Sequence, residues 1–169
     1  LTAEVNNRGH LMIGGYDTVE LATEFGTPLY VFDEFSLSSK CREFKTEFGQ
    51  RYSETTVSYA SKAFLNRALA VILGEEGLGL DVVSAGELAI ARSVGFPMDM
   101  VYFHGNNKPT EELKLALKHH VGRIVVDNFD ELNRLGEMDG ETGHIPDILL
   151  RLTPGVDPHT HEHITTGII

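Results

Sequence analysis

From about residue 55 onward the chain alternates short apolar runs with polar loops and amphipathic helical stretches. The runs are 56–59, 78–83, 100–103, 123–126 and 148–152, with starts roughly 20 to 25 residues apart, the length of one β/α unit. Between them the apolar positions follow the 3.6-residue period of a helix. After Ser84, residues Leu88, Ile90, Ala91 and Val94 share a face, and Ser84 followed three positions later by Glu87 has the form of a helix N-cap. Leu113, Ala116 and Leu117 form the next stripe after Thr110, and a further helix is predicted from about Phe129 to Leu135. Pro97, Pro109 and Pro146 all fall between elements, where proline does least harm.

Strand, loop and helix repeated about five times imply a parallel sheet with right-handed crossovers. A doubly wound sheet calls for a glycine-rich turn after its first strand. Here that turn reads Ala60-Ser61-Lys62-Ala63. A (β/α)8 barrel needs about 250 residues, and five units are what its first part supplies. The predicted fold is therefore α/β: a TIM barrel present as its first part, about five β/α units within residues 35–169. Residues 1–34 form a separate N-terminal segment. There Leu11–Ile13 is predicted as a strand of a second β-domain, Thr18–Phe25 as a short helix and Pro28–Phe32 as an extended run. An amphipathic helix follows from about Glu34 to Phe48. The opening at Leu1 and the stop at Ile169 lead to the expectation of a longer parent chain.

Composition narrows the function classes. A net charge of −11 disfavours a nucleic-acid binder, which needs clustered Lys and Arg. It also requires any site for an anionic ligand to be locally basic. No apolar run approaches the roughly 20 residues of a membrane helix, and the first ten residues do not resemble a signal peptide. The single cysteine, Cys41, excludes an internal disulfide and fits a cytoplasmic setting.

In parallel β/α barrels the active site lies at the C-terminal ends of the strands. The five runs deliver to that rim Lys62; Asp81 with Ser84 and Glu87; His104 to Lys108; Asp127-Asn128; and Arg151. Lys62 is expected to be crowded by Ala60, Ser61 and Ala63 and so desolvated, which would free its amine for Schiff-base chemistry. The plain alternative is a solvated lysine at the start of the next helix. His159, His161 and His163 alternate as strand metal ligands sometimes do, but polar contacts in a loop are the simpler reading, and no metal is expected. Cys41 is read as a packing residue, and His119-His120 as a favourable partner of a helix C-terminus. Asn106-Asn107 suits a turn as well as a substrate contact.

The segments Tyr59-Ala60-Ser61-Lys62-Ala63, Leu80 to Leu88, His104-Gly105-Asn106-Asn107-Lys108 and Arg151 to His161 occur in this order. With Gly26 to Val31 they resemble the diaminopimelate decarboxylases, in the alanine-racemase-like group of pyridoxal-phosphate (PLP) enzymes. The resemblance implies that Lys62 is catalytic and holds PLP as a Schiff base. It implies that Ala60, Asp81, His104 and Arg151 also belong to the cofactor site, with Arg151 near the phenolic oxygen and Asp81 near the lysine. Lys62, Lys108 and Arg151 would supply positive potential in an acidic chain.

The implied reaction is decarboxylation of meso-diaminopimelate to L-lysine, a step of amino-acid biosynthesis, in a homodimer. The resemblance also places the phosphate loop, the partner of the pyridine nitrogen and the acid catalyst beyond Ile169. A relative acting on another basic amino acid, or a non-catalytic PLP-binding regulator, are the competing readings.

Overall fold

The structure is a computed structural model and describes residues 2–142 and 147–155. The chain divides into two compact units, Leu1–Tyr59 with Ala68–Gly79, and Ala60–Arg67 with Leu80–Ile169.

The first unit opens with a three-stranded antiparallel sheet of β1 (Glu4–Val5), β2 (Leu11–Ile13) and β3 (Tyr16–Asp17), in that order. Gly14 and Gly15, at φ 61° and 84°, make the β2–β3 turn, a conformation that costs glycine little. Asp17 then caps α1 (Thr18–Phe25), accepting the Val19 N–H at 2.9 Å. Asp33 caps α2 (Glu34–Gly49) in the same way. Cys41 is the buried residue of α2, and burial, followed by the charge of Glu76, raises its thiol pKa. That environment suits packing, as the sequence suggested, and disfavours a thiolate. Arg42 binds Glu76 through two hydrogen bonds of 2.8 and 2.5 Å, and so ties α2 to the turn after α3 (Arg67–Glu75).

A five-stranded sheet follows chain order: β4 (Ser58–Ala60), β5 (Gly79–Val82), β6 (Val101–Phe103), β7 (Arg123–Val126) and β8 (Asp147–Leu150). Strands β5 to β8 pair in parallel. Alternation along these strands separates two faces. One carries Leu80, Val82, Val101, Phe103, Ile124 and Val126, all 3% exposed or less. Buried positions on α4 (Ala85–Ser93), α5 (Thr110–Lys118) and α6 (Phe129–Thr142) supply the helical side of this core, namely Leu88, Ala91, Leu113, Ala116, Leu117, Leu135 and Met138. Each large buried side chain such as Phe103 contributes roughly 1.5–3 kcal/mol by leaving water.

The opposite face carries Asp81, Tyr102, Arg123 and Asp147, in register across four strands. Arg123 donates to the Tyr102 hydroxyl at 2.9 Å along this row.

The strand–helix alternation is the one the sequence predicted. Four strands are followed by a helix, and the residues after the fifth lie largely outside those described. Residues 28–32, predicted as an extended run, lie outside the strands and are exposed. One predicted element changes. Helix α6 runs to Thr142 rather than Leu135, because Met138 continues the buried stripe of Glu131 and Leu135 at helical spacing.

Candidate functional site

The groups singled out in the sequence lie at the ends of β4 to β8 and just beyond, all within the second unit. Ala60 closes β4 and leads into a single 3-10 turn, Ser61–Ala63, that carries Lys62. Ser61 turns inward: it is 1% exposed and its hydroxyl has no hydrogen-bond partner among the described residues. Lys62 points the other way. It is exposed, with no ion pair or hydrogen bond among the described residues. The expected desolvation is therefore corrected. Ala60 and Ala63 are themselves exposed and too short to cover a lysine stem, and β4 is the outermost strand on its side of the sheet.

On β5, Asp81 faces the same side as Tyr102 and is half-buried. Its Oδ1 is shielded from solvent and accepts no hydrogen bond among the described residues. His104 continues β6, its N–H donating to Val82 O at 2.7 Å. Its ring Nδ1 lies 3.4 Å from Asp81 Oδ1 and 3.5 Å from Oδ2. Those distances are too long for a strong bond, so the two groups share a location without being locked together. Arg151 follows β8, with its backbone N–H on Val126 O at 2.9 Å and its guanidinium 2.8 Å from Asp127 Oδ1.

Lys108 does not join them. Its ammonium is 1% exposed, 2.7 Å from Glu131, and donates to Gly105 O and Val125 O. It folds under its own loop and fastens that loop to β7, so the positive potential expected from it is neutralised inside the protein. Neither Glu131 nor this role was signalled by the sequence, where Glu131 reads as one more first-turn acid of a helix.

The helix starts at this rim are already filled by acids. Ser84 accepts from Glu87 N at 3.3 Å, as its spacing predicted, while the Glu87 carboxylate takes Val83 N. Glu112, from the first turn of α5, takes Ala85 N at 3.0 Å. Helix α6 begins with Asp130 and Glu131. Carboxylates at these positions repel an anion that would otherwise suit a helix N-terminus.

A hollow of about 860 Å³ belongs to the first unit and is lined by Ile13, Tyr16, Phe25, Phe32 and Phe35 among others. It contains none of the candidate residues, and its one arginine, Arg42, is already bound to Glu76. His159, His161 and His163 lie outside the described residues. Among the described residues no three His, Cys, Asp or Glu side chains are grouped to hold a metal, and no helix is long and apolar enough to cross a membrane.

Residues 35–168 match the family model described as "Pyridoxal-dependent decarboxylase, pyridoxal binding domain". The chain belongs to the pyridoxal-dependent decarboxylases. Among curated relatives of this family, diaminopimelate decarboxylase of Bacillus subtilis is 51% identical over 98% of the chain and 38% of its own length. That of Bacillus methanolicus is 50% identical over the same shares. The crystal structure of diaminopimelate decarboxylase from M. jannaschii in complex with L-lysine superposes with a TM-score of 0.84 at 35% identity. It covers 96% of this chain and 38% of that one. The chain thus spans about 38% of the length of the relatives it matches. Its five parallel strands are the first part of the barrel of these pyridoxal-dependent decarboxylases, and the three-stranded antiparallel sheet accompanies it.

The rim residues fit such a cofactor chemically. An aldehyde needs an accessible amine, which Lys62 offers. Two shielded polar atoms that make no hydrogen bond among the described residues, Ser61 Oγ and Asp81 Oδ1, sit at neighbouring strand ends.

Proposed function

We propose that this chain is the N-terminal, cofactor-binding part of an enzyme that decarboxylates meso-diaminopimelate to L-lysine and carbon dioxide. The single observation that carries the reading is the 51% identity to a diaminopimelate decarboxylase over 98% of the chain. The structure of a homologue crystallised with L-lysine supports the product assignment.

PLP, when bound, supplies an electron sink for the pair left behind as carbon dioxide departs. The protein residues supply the rest. Lys62 Nζ is the amine that would hold the cofactor and exchange it with the substrate amine. Asp81 would keep a proton at that nitrogen by placing a carboxylate on the adjacent strand end. Arg151 would present a fixed positive charge to the phenolic oxygen, and its guanidinium is already oriented at the rim. Ala60 leaves room for the ring because its side chain ends at a methyl group. His104 would meet the cofactor edge while remaining near Asp81. The phosphate requires donors from elsewhere in the parent protein, because the rim helices here begin with acids.

The same reading divides the chain into an N-terminal segment, 1–34, whose strands would join a second β-domain, and the barrel portion, 35–169. It carries with it a cytoplasmic setting and, as the family resemblance implies, a homodimer.

Reduction of the PLP-loaded full-length protein with borohydride, followed by mass spectrometry, tests the site: the pyridoxyl group is expected on Lys62. Label on a different lysine overturns the assignment. Carbon dioxide release from meso-diaminopimelate, lysine, ornithine and arginine tests the substrate, with release from meso-diaminopimelate expected and preference for another member refuting it.

A further inference from the structure

Strand β7 ends in two residues, Val125 and Val126, whose carbonyls are both engaged. Val125 O receives the Lys108 ammonium at 2.8 Å, and that ammonium is itself sealed against Glu131. Val126 is 3% exposed and its carbonyl accepts Arg151 N at 2.9 Å. Immediately beyond, Asn128 begins α6: its side-chain oxygen accepts Glu131 N at 2.9 Å and its carbonyl accepts Leu132 N at 3.2 Å. Asp127 lies between these anchors. Its short side chain has few rotamers, so a fixed backbone nearly fixes the carboxylate.

Arg151 is the opposite case. Its side chain is long and 43% exposed, and left free it would sample many rotamers. One guanidinium nitrogen, Nη1, is held 2.8 Å from Asp127 Oδ1. The remaining guanidinium donors make no hydrogen bond among the described residues, and the planar group carries more donors than Asp127 can take.

We propose that Asp127 is a positioning residue for Arg151, holding one edge of the guanidinium so that its other donors stay presented to an anionic oxygen of the bound cofactor. This rests on the reading of Arg151 as a cofactor contact. Two consequences have opposite sign. If Asp127 merely offset the charge of Arg151, removing its charge would tighten binding of an anionic ligand. If it orients the guanidinium, removing it weakens binding although the net charge becomes more favourable. The pair is partly exposed, so its share of fold stability is small.

The test uses the full-length protein and PLP itself as the probe. Apo forms of wild type, D127N, R151K and D127N/R151K are titrated with PLP, and the visible absorbance of the bound cofactor is followed against pH. D127N is expected to weaken PLP binding on the order of ten-fold and to shift the pH of the spectral transition, with the double variant no weaker than R151K alone. The apo melting temperature of D127N should stay near wild type. Unchanged or tighter binding in D127N, or losses that simply add in the double variant, overturn the proposal. If R151K alone binds PLP as wild type does, the assignment of Arg151 as a cofactor contact falls, and the role of Asp127 falls with it.

Discussion

The ammonium of Lys108 and the carboxylate of Glu131 lie 2.7 Å apart with 1% and 0% of their side chains exposed. Lys108 is the sole partner of that carboxylate among the described residues. Removing one member of such a pair leaves a charge buried alone, which costs about 3–5 kcal/mol, whereas replacing both with apolar groups often costs far less. K108M and E131L are each expected to lower the urea unfolding free energy of the full-length protein by that amount. The double variant K108M/E131L should recover much of it. Single-variant losses near zero would show that the pair is not sealed from water.

Gly122 has a steric rather than a conformational reason to be glycine. A Cβ there would lie 1.9 Å from Asp99 O and 2.6 Å from Asp99 C, both backbone atoms, while Gly122 N donates to Met98 O at 2.8 Å. The entry to β7 therefore passes directly against the turn that enters β6. G122A is expected to destabilise by about 1–3 kcal/mol or more, since overpacking here can be relieved only by moving main chain. Thermal unfolding reads this directly, and a melting temperature equal to wild type would refute the close approach.

Asp17 gives the first unit a dependence on acid. Burial pushes its carboxyl upward, but hydrogen bonds from His10, the Val19 backbone, Asn6 and the Glu20 backbone outweigh that and lower its pKa from 3.8 to about 2. Arg8 adds an ion pair at 2.6 Å. A carboxyl whose folded pKa lies below its unfolded one contributes stability that is fully present above about pH 4 and is lost as pH falls toward 2. D17N should therefore be less stable than wild type at neutral pH, and the gap should narrow between pH 4 and 2. Urea midpoints measured across that range check it; a gap independent of pH would assign the effect to something other than ionisation.

Much of this architecture could be read from period alone, because strands β5 to β7 and helices α4 and α5 obey both local propensity and burial on one face. The capping pair Ser84 and Glu87 was legible for the same reason: its geometry is local in sequence. What escaped were features set by residues distant along the chain. Lys108 and Glu131 are 23 positions apart in number and meet only once the loop after β6 folds under α6, so the sequence offered a rim lysine where the structure has a buried strut. The exposure of Lys62 likewise depends on which strands flank β4, a tertiary fact that its small neighbours Ala60 and Ala63 do not encode. The short strands β1 and β3, of two residues each, carry too little pattern to be seen without their pairing partner β2.

Strand β8 yields the last prediction. All four of its residues are exposed, including Ile148, Leu149 and Leu150 at 38%, 43% and 61%, and Leu152 just beyond is 79% exposed. Its ladder is satisfied on the β7 side, and among the described residues it is the outermost strand of the sheet. An apolar edge of this kind is a template for pairing with another chain. Among the described residues, the helices at the rim it borders open with Glu87, Glu111 and Asp130, which disfavours a phosphate there. The 169-residue chain expressed by itself is therefore expected to self-associate at micromolar concentration, to bind PLP weakly and to release no carbon dioxide from meso-diaminopimelate. Replacing Leu149 with Lys should reduce the association seen by light scattering, because a charge on an edge strand opposes pairing. A monodisperse 169-residue chain with measurable decarboxylase activity would show that the edge is covered and the site complete without further residues.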